Sequence, residues 1–149
     1  MTRPQESFPA ISFGCTCLRL RKAARRVSQI YDSYVEPHGL TITQFGLLAH
    51  LSALPGISVS ALAEKLVMDP TTLTRNLRPL EKKGLVKFAI DPSDRRSRAL
   101  HLTAVGSETF RAAKPAWAKA QRHMEQVLGN ADVGVLHKAL EGALDRLAK

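Results

Sequence analysis

The run MDPTTLTRNLRPLEKKGLVKFAIDPSDRRSRALHLT, residues 68–103, decides the fold. Asp69 offers a side-chain acceptor for an N-cap, and Pro70 fits the first helical position, where a missing N–H is no loss. Met68 is spaced to staple onto Leu73. Leu73, Leu77 and Leu80 then recur on one side of a helix. At about 100° per residue, Thr71, Arg75, Arg78 and Lys82 share a sector of roughly 60° on the other side, with Thr74 beside them. The spacing predicts a helix running to Lys83 with Gly84 as its cap. Pro79 removes a ladder donor, which predicts a bend that carries Lys82 and Lys83 aside.

Just upstream, Val59, Leu62, Ala63 and Leu66 repeat at helical spacing, so the two segments read as helix-turn-helix. Downstream, Val86, Phe88 and Ile90 alternate with Lys87 and Ala89, and Leu100 and Leu102 flank His101, which predicts two strands each with one apolar face. Between them Asp91-Pro92-Ser93-Asp94-Arg95-Arg96-Ser97-Arg98 predicts a hairpin tip carrying three arginines, steadied by two aspartates and one proline.

These faces suit duplex DNA. A helix that buries leucines and presents hydroxyls and cations is what a major groove accepts. Arg75 and Arg78 are the candidates for base edges, while Thr71, Thr72 and Thr74 lie near the helix start, within reach of phosphates or thymine methyls. A planar guanidinium on the hairpin can enter a narrow, electronegative minor groove. Asp94 is expected to pair with the Arg96 guanidinium at i+2 and hold it extended, and Lys82, Arg95 and Arg98 add attraction for the backbone. Two blander readings compete: a solvated surface hairpin, and a winged-helix adaptor that binds protein without touching DNA. The basic character of the helix face disfavours the adaptor.

The order helix, turn, helix, then Gly84-Leu85-Val86, the hairpin Asp91-Pro92-Ser93-Asp94-Arg95-Arg96, and Leu100-His101-Leu102-Thr103 resembles the MarR family of bacterial transcription regulators. The motifs run from about Thr43 to Thr103, and the flanks agree by helix pattern. The resemblance implies a mainly α fold with a small β-hairpin wing, a winged helix-turn-helix over 41–103. It further implies an obligate homodimer, a palindromic operator, repression as the default, and release by a small aromatic or phenolic ligand or by an oxidant. The family's recognition helix falls on Pro70 through Lys83 and its minor-groove arginine on Arg96, oriented by Asp94.

A chain of 149 residues carries one substantial core. Its formal net charge of +9 favours a polyanionic partner. Aromatics make up 5% of the residues and are scattered, which argues against a platform for stacking single strands or RNA. No apolar run is long enough for a bilayer, and Met1 to Gly14 lacks a hydrophobic signal segment, so a cytoplasmic protein without membrane contact is expected.

The two ends carry a second pattern. Cys17, Leu20, Ala24, Val27, Tyr31 and Tyr34 form a stripe at intervals of three and four, ending before Pro37. Thr103 is placed to cap a long helix in which Phe110, Ala113, Trp117, Ala120, Met124 and Val127 recur, with a kink expected at Pro115 and a stop at Gly129-Asn130. Val133, Leu136, Leu140, Ala143 and Leu147 mark a last helix. These seams need helical partners, so 15–36 and 104–149 are expected to form the dimer, with an intramolecular bundle as the alternative.

By the resemblance, an effector sits between the dimer helices and the winged region, which points to Tyr31, Tyr34, Phe45 and Trp117. Each serves equally as core. Cys15 and Cys17 would project roughly 200° apart in a helix and could not bond each other without local unwinding, which leaves a bridge to the other subunit open. Cys17 is expected in the core, and Cys15, near a helix start among basic residues, is the redox candidate. Arg19, Arg21, Lys22, Arg25 and Arg26 read as a solvated outer face, with contact to operator phosphates or an anionic effector as the alternative. The histidines His38, His50, His101, His123 and His137 show no ligand spacing, and no cofactor site is expected. Nor does the chain offer a nucleophile with its base, paired acids or a phosphate-cradling glycine loop, so an enzyme is not expected.

Overall fold

The computed structural model describes residues 14–148. The reading of Met1 to Phe13 as free of a signal segment lies outside them. Six helices and one hairpin follow in order: α1 (Thr16–Val35), a 3-10 turn (Glu36–His38), α2 (Ile42–Ala53), α3 (Val59–Lys65), α4 (Pro70–Lys82), β1 (Val86–Asp91), β2 (Asp94–Leu102), α5 (Ala104–Leu128) and α6 (Asn130–Leu147). This is a winged helix-turn-helix with long terminal helices.

Local chemistry sets most helix starts. Thr41 and Gln44 form a reciprocal capping box on α2, Ser58 caps α3, Asp69 accepts from the Thr72 amide at 3.4 Å, and Thr103 accepts from the Gly106 amide at 3.0 Å. The α4 helix stops one residue earlier than the spacing predicts, at Lys82, with Lys83 as cap and Gly84 at φ 75° beyond it. Neither Pro79 nor Pro115 ends its helix. Lys83 does turn aside, donating through Nζ to the Gly39 carbonyl at 2.9 Å.

The core gathers around α2, α3, α4 and the base of the hairpin. Leu48, Leu62, Leu73, Leu77, Leu80 and Leu100 are wholly covered, with Phe45, Leu51, Leu85 and Val86 beside them. The wing is anchored twice. Gly56 donates to the Leu100 carbonyl and Leu100 donates to the Ile57 carbonyl, both at 2.9 Å, while Ser58 bridges Ala99, so the lead into α3 runs along the free edge of β2. At the other end the Thr103 amide donates to the Leu85 carbonyl at 3.0 Å and its hydroxyl to the Gly84 carbonyl at 2.5 Å. Here α5 passes so close that a Cβ on Gly106 would stand 1.9 Å from the Leu85 oxygen, which admits only glycine.

The hairpin differs from expectation near its tip. Strand pairing runs in register from Val86 with Leu102 to Ile90 with Arg98, then jumps to Asp91 with Asp94. Residues 95–97 are therefore extra on β2, a bulge that twists the strand. Since β2 begins at Asp94, the three arginines lie along a strand, and the turn itself is Pro92 and Ser93. Ile90 does not share the buried face of Val86. It is 64% exposed, because the strands have left the core by that point.

The terminal helices pack on one another, α1 against α5 and α5 against α6, and are poorly covered within one chain. Leu18, Leu20, Val127, Leu128, Leu136, Leu140, Leu144 and Leu147 all stand exposed, and Val133 is the one buried residue of α6. Two cysteine expectations change here. Cys15 is not on the helix but caps it, its sulfur accepting from the Leu18 amide at 3.4 Å, so the opposed-face argument no longer applies. Cys17 is exposed rather than buried in the core, because nothing among the described residues covers the start of α1.

Candidate nucleic-acid interface

The outward face of α4 follows from its inward one. With Leu73, Leu77 and Leu80 each 0% exposed, helical geometry leaves Thr71, Thr72, Arg75, Arg78 and Lys82 facing solvent and Thr74 half-buried at the margin. Among the described residues, the side chains of Arg75 and Lys82 make no hydrogen bond or ion pair. Arg75 stands over a polar cleft of about 330 Å³ shared with Thr41, Thr43, Gln44, Asn76 and Pro79. The first turn of α2 thus adjoins the face of α4, a neighbour that the single-helix pattern could not reveal.

Arg78 is held differently. Its guanidinium donates to the Glu81 carboxylate at 2.8 Å and lies 4.5 Å from the centre of the Phe88 ring on β1. By helical spacing alone Arg78 equals Arg75 as a candidate for a base edge. The Glu81 contact at i+3 is legible from the same spacing, whereas the ring contact depends on how the hairpin folds back.

On the wing, Arg95, Arg96 and Arg98 are exposed along β2, with guanidiniums unpaired among the described residues. Asp94 does not pair with the Arg96 side chain. Its Oδ1 accepts from the Arg96 backbone amide at 2.9 Å, so it shapes the bulged backbone and leaves the guanidinium loose. Asp91 works similarly, accepting from the Ser93 amide at 2.9 Å and the Ser93 hydroxyl at 2.7 Å. The Ser93 hydroxyl and amide hold the Asp91 carboxyl below the usual aspartate range. Both aspartates therefore spend their charge on the turn.

The four effector candidates do not converge. Phe45 is buried and stacks on Trp117 at 6.0 Å and against Phe110 at 5.2 Å, so each ring fills the space beside the other. Tyr34 sits 5.9 Å from His123. Tyr31 alone of the four lines an apolar cavity of about 380 Å³ between α1, α5 and α6, walled by Leu20, Val27, Met124, Leu136 and Leu140. At its rim the Tyr31 hydroxyl donates to Gln121 Oε1, and Gln121 donates to Glu125 at 3.2 Å. Burial, reinforced by the Glu125 charge, raises the Tyr31 pKa. Cys15, the redox candidate, is exposed.

Among the described residues there is no cluster of histidine, cysteine and acidic groups that would hold a metal ion, and no helix long and apolar enough to cross a membrane.

Residues 40–97 match the family model described as the MarR family. The transcriptional regulator HosA of Escherichia coli O111:H- is 33% identical over 99 residues, which is 63% of this chain and 73% of that protein. Across four curated relatives the match spans 53% to 73% of the relative's own length. The Mycobacterium tuberculosis transcriptional regulator MosR in complex with DNA is 35% identical, with a TM-score of 0.72 over 87% of this chain and 98% of that one. The transcriptional repressor CouR bound to a 23-mer DNA duplex is 30% identical, with a TM-score of 0.76 over 97% of this chain and 99% of that one. Relatives named in this way are regulators rather than enzymes, and the chain belongs to the MarR family of winged helix-turn-helix transcriptional regulators.

Proposed function

We propose that the chain works as a homodimer that binds a palindromic site in double-stranded DNA and represses transcription there, in the cytoplasm where the duplex lies. The observation that carries this is the division of α4 into a leucine face with no exposure and an outward face of threonines and cations. In this reading α4 enters the major groove with Arg75 at a base edge. Thr71, Thr72, Thr74 and Lys82 meet phosphates or thymine methyls, Arg96 reaches the minor groove, and Arg95 and Arg98 flank it on the backbone. Asp94 contributes by shaping the bulge that aims Arg96. The DNA-bound forms of MosR and CouR support the same partner for this chain.

The terminal segments 15–36 and 104–149 supply the dimer, and 41–103 the DNA contact. A two-fold pair sets its recognition helices in successive major grooves about one helical turn apart, so any change of angle between the terminal helices alters their spacing. Release follows either when a small aromatic or phenolic ligand enters beside Tyr31 or when an oxidant modifies Cys15. Selection of bound duplexes from a genomic library, with and without oxidant and a panel of phenols, tests the whole reading. A palindromic consensus lost with one class of signal supports it, and recovery of no preferred duplex refutes it. In a band-shift titration Arg96→Ala is expected to weaken the selected duplex with the dimer intact, and unchanged affinity removes Arg96 from the site.

A further inference from the structure

Arg78 and Arg75 lie one turn apart on the same helix, yet their surroundings differ in kind. Arg75 is untied among the described residues, whereas the Arg78 guanidinium carbon lies over the Phe88 ring, 4.5 Å from its centre, and its Nη1 donates to Glu81. The guanidinium makes the two contacts through separate atoms, so it can hold both at once. Phe88 is itself fixed, half-buried against the core and paired in register with the fully covered Leu100 of β2. Beneath this contact the chain turns from α4 into β1 through Lys83, Gly84 and Leu85, whose hydrogen bonds close the inner side of the corner: Gly84 to the Glu81 carbonyl and Leu85 to the Leu80 carbonyl, both at 2.9 Å. Arg78 closes the outer side.

We infer that Arg78 is a positioning residue, a brace across the corner between recognition helix and wing, and that it sets where the β2 arginines stand relative to α4. This deepens the duplex-binding reading and rests on it for its consequence in affinity, though not for the brace itself. As a brace Arg78 needs no DNA at all, and its effect reaches the duplex through Arg96.

The test has one arm without DNA and one with it. In the free protein, amide hydrogen exchange across β1 and β2 is expected to quicken about two- to fivefold in Arg78→Ala and in Phe88→Leu, the range set by one exposed cation–π contact. Amides of α2 and α3 are expected to be unchanged. Glu81→Gln, which leaves the ring in place, gives a smaller change of the same sign and serves if Phe88→Leu folds poorly. With a selected duplex, Arg78→Ala and Phe88→Leu are each expected to lose about two- to fivefold in affinity without altering base preference. The double variant loses no more than either alone, and the loss vanishes in an Arg96→Ala background. A wing whose exchange stays at the wild-type rate in Arg78→Ala, or a relaxed preference at a single base pair in that variant, overturns the assignment. Faster exchange together with no binding to any duplex keeps the brace and overturns the DNA reading instead.

Discussion

Leucines at helical spacing meet opposite fates in α4 and α6. Leu73, Leu77 and Leu80 are covered completely by α2, α3 and the hairpin, whereas Leu136, Leu140 and Leu144 stand 43%, 38% and 55% exposed on a helix that packs on α5. Among the described residues the winged region closes its core, and the terminal helices do not. Apolar area in water costs about 25 cal/mol for each Å², so an open seam of this kind calls for a partner, and a second copy brings a seam of the same shape. The difference teaches that spacing defines a face but not what covers it.

The contrast can be broken most severely at its closed end. Leu77→Ala leaves a cavity at a fully covered position of the core, and is expected to cost about 2–5 kcal/mol of unfolding free energy in urea titration. A loss under about 1 kcal/mol would mean the α4 leucines are less committed than their coverage implies. At the open end, Leu140→Asp is expected to leave the winged region folded while raising the dimer dissociation constant about a hundredfold in sedimentation equilibrium, the scale of a central interface residue. An unchanged constant would show that α6 is not part of the interface.

Smaller effects sharpen the picture inside the winged region. Val67, in the turn between α3 and α4, holds φ at 53° with its side chain 79% exposed, a left-handed conformation that a β-branched residue adopts at a cost. Val67→Gly relieves this and is expected to raise stability by up to about 1 kcal/mol, measured by the shift of the urea midpoint, since glycine's greater freedom when unfolded offsets part of the gain. Equal or lower stability would show that the turn is not strained. The smallest effect concerns pH. The folded Asp91 carboxyl titrates below its unfolded range, so its contribution is present above the unfolded pKa and is lost as pH falls through the folded one. Ser93 amide protection is expected to fade in that acid window, and Asp91→Asn should remove the dependence while leaving the hairpin formed.

Much of the winged region was legible because its signals are local. Asp69 and Pro70 start α4, Thr103 starts α5, and the leucine spacing names the buried face without knowledge of any neighbour. What escaped was tertiary or too short to be periodic. The short lead into α3, Gly56 to Ser58, supports the free edge of β2 and leaves no pattern in sequence. The Phe88 ring reaches Arg78 only after the hairpin folds back. Asp94 was assigned the right neighbour but the wrong atom, since a carboxylate two residues before an amide meets the backbone more readily than a long guanidinium. Phe45 and Trp117 share a helical logic with Tyr31 but pack into each other, so aromatic type alone did not mark a cavity wall.

The central claim, that two copies present α4 and β2 cations to one duplex, is tested most directly by fluorescence anisotropy of a selected duplex titrated with the protein across a series of salt concentrations. The account predicts saturation at two chains per duplex and a logarithmic affinity that falls linearly with the logarithm of salt, by about 0.9 for each phosphate neutralised, with a shallower slope after Arg96→Ala. Binding that ignores salt, or saturation by a single chain, would contradict it.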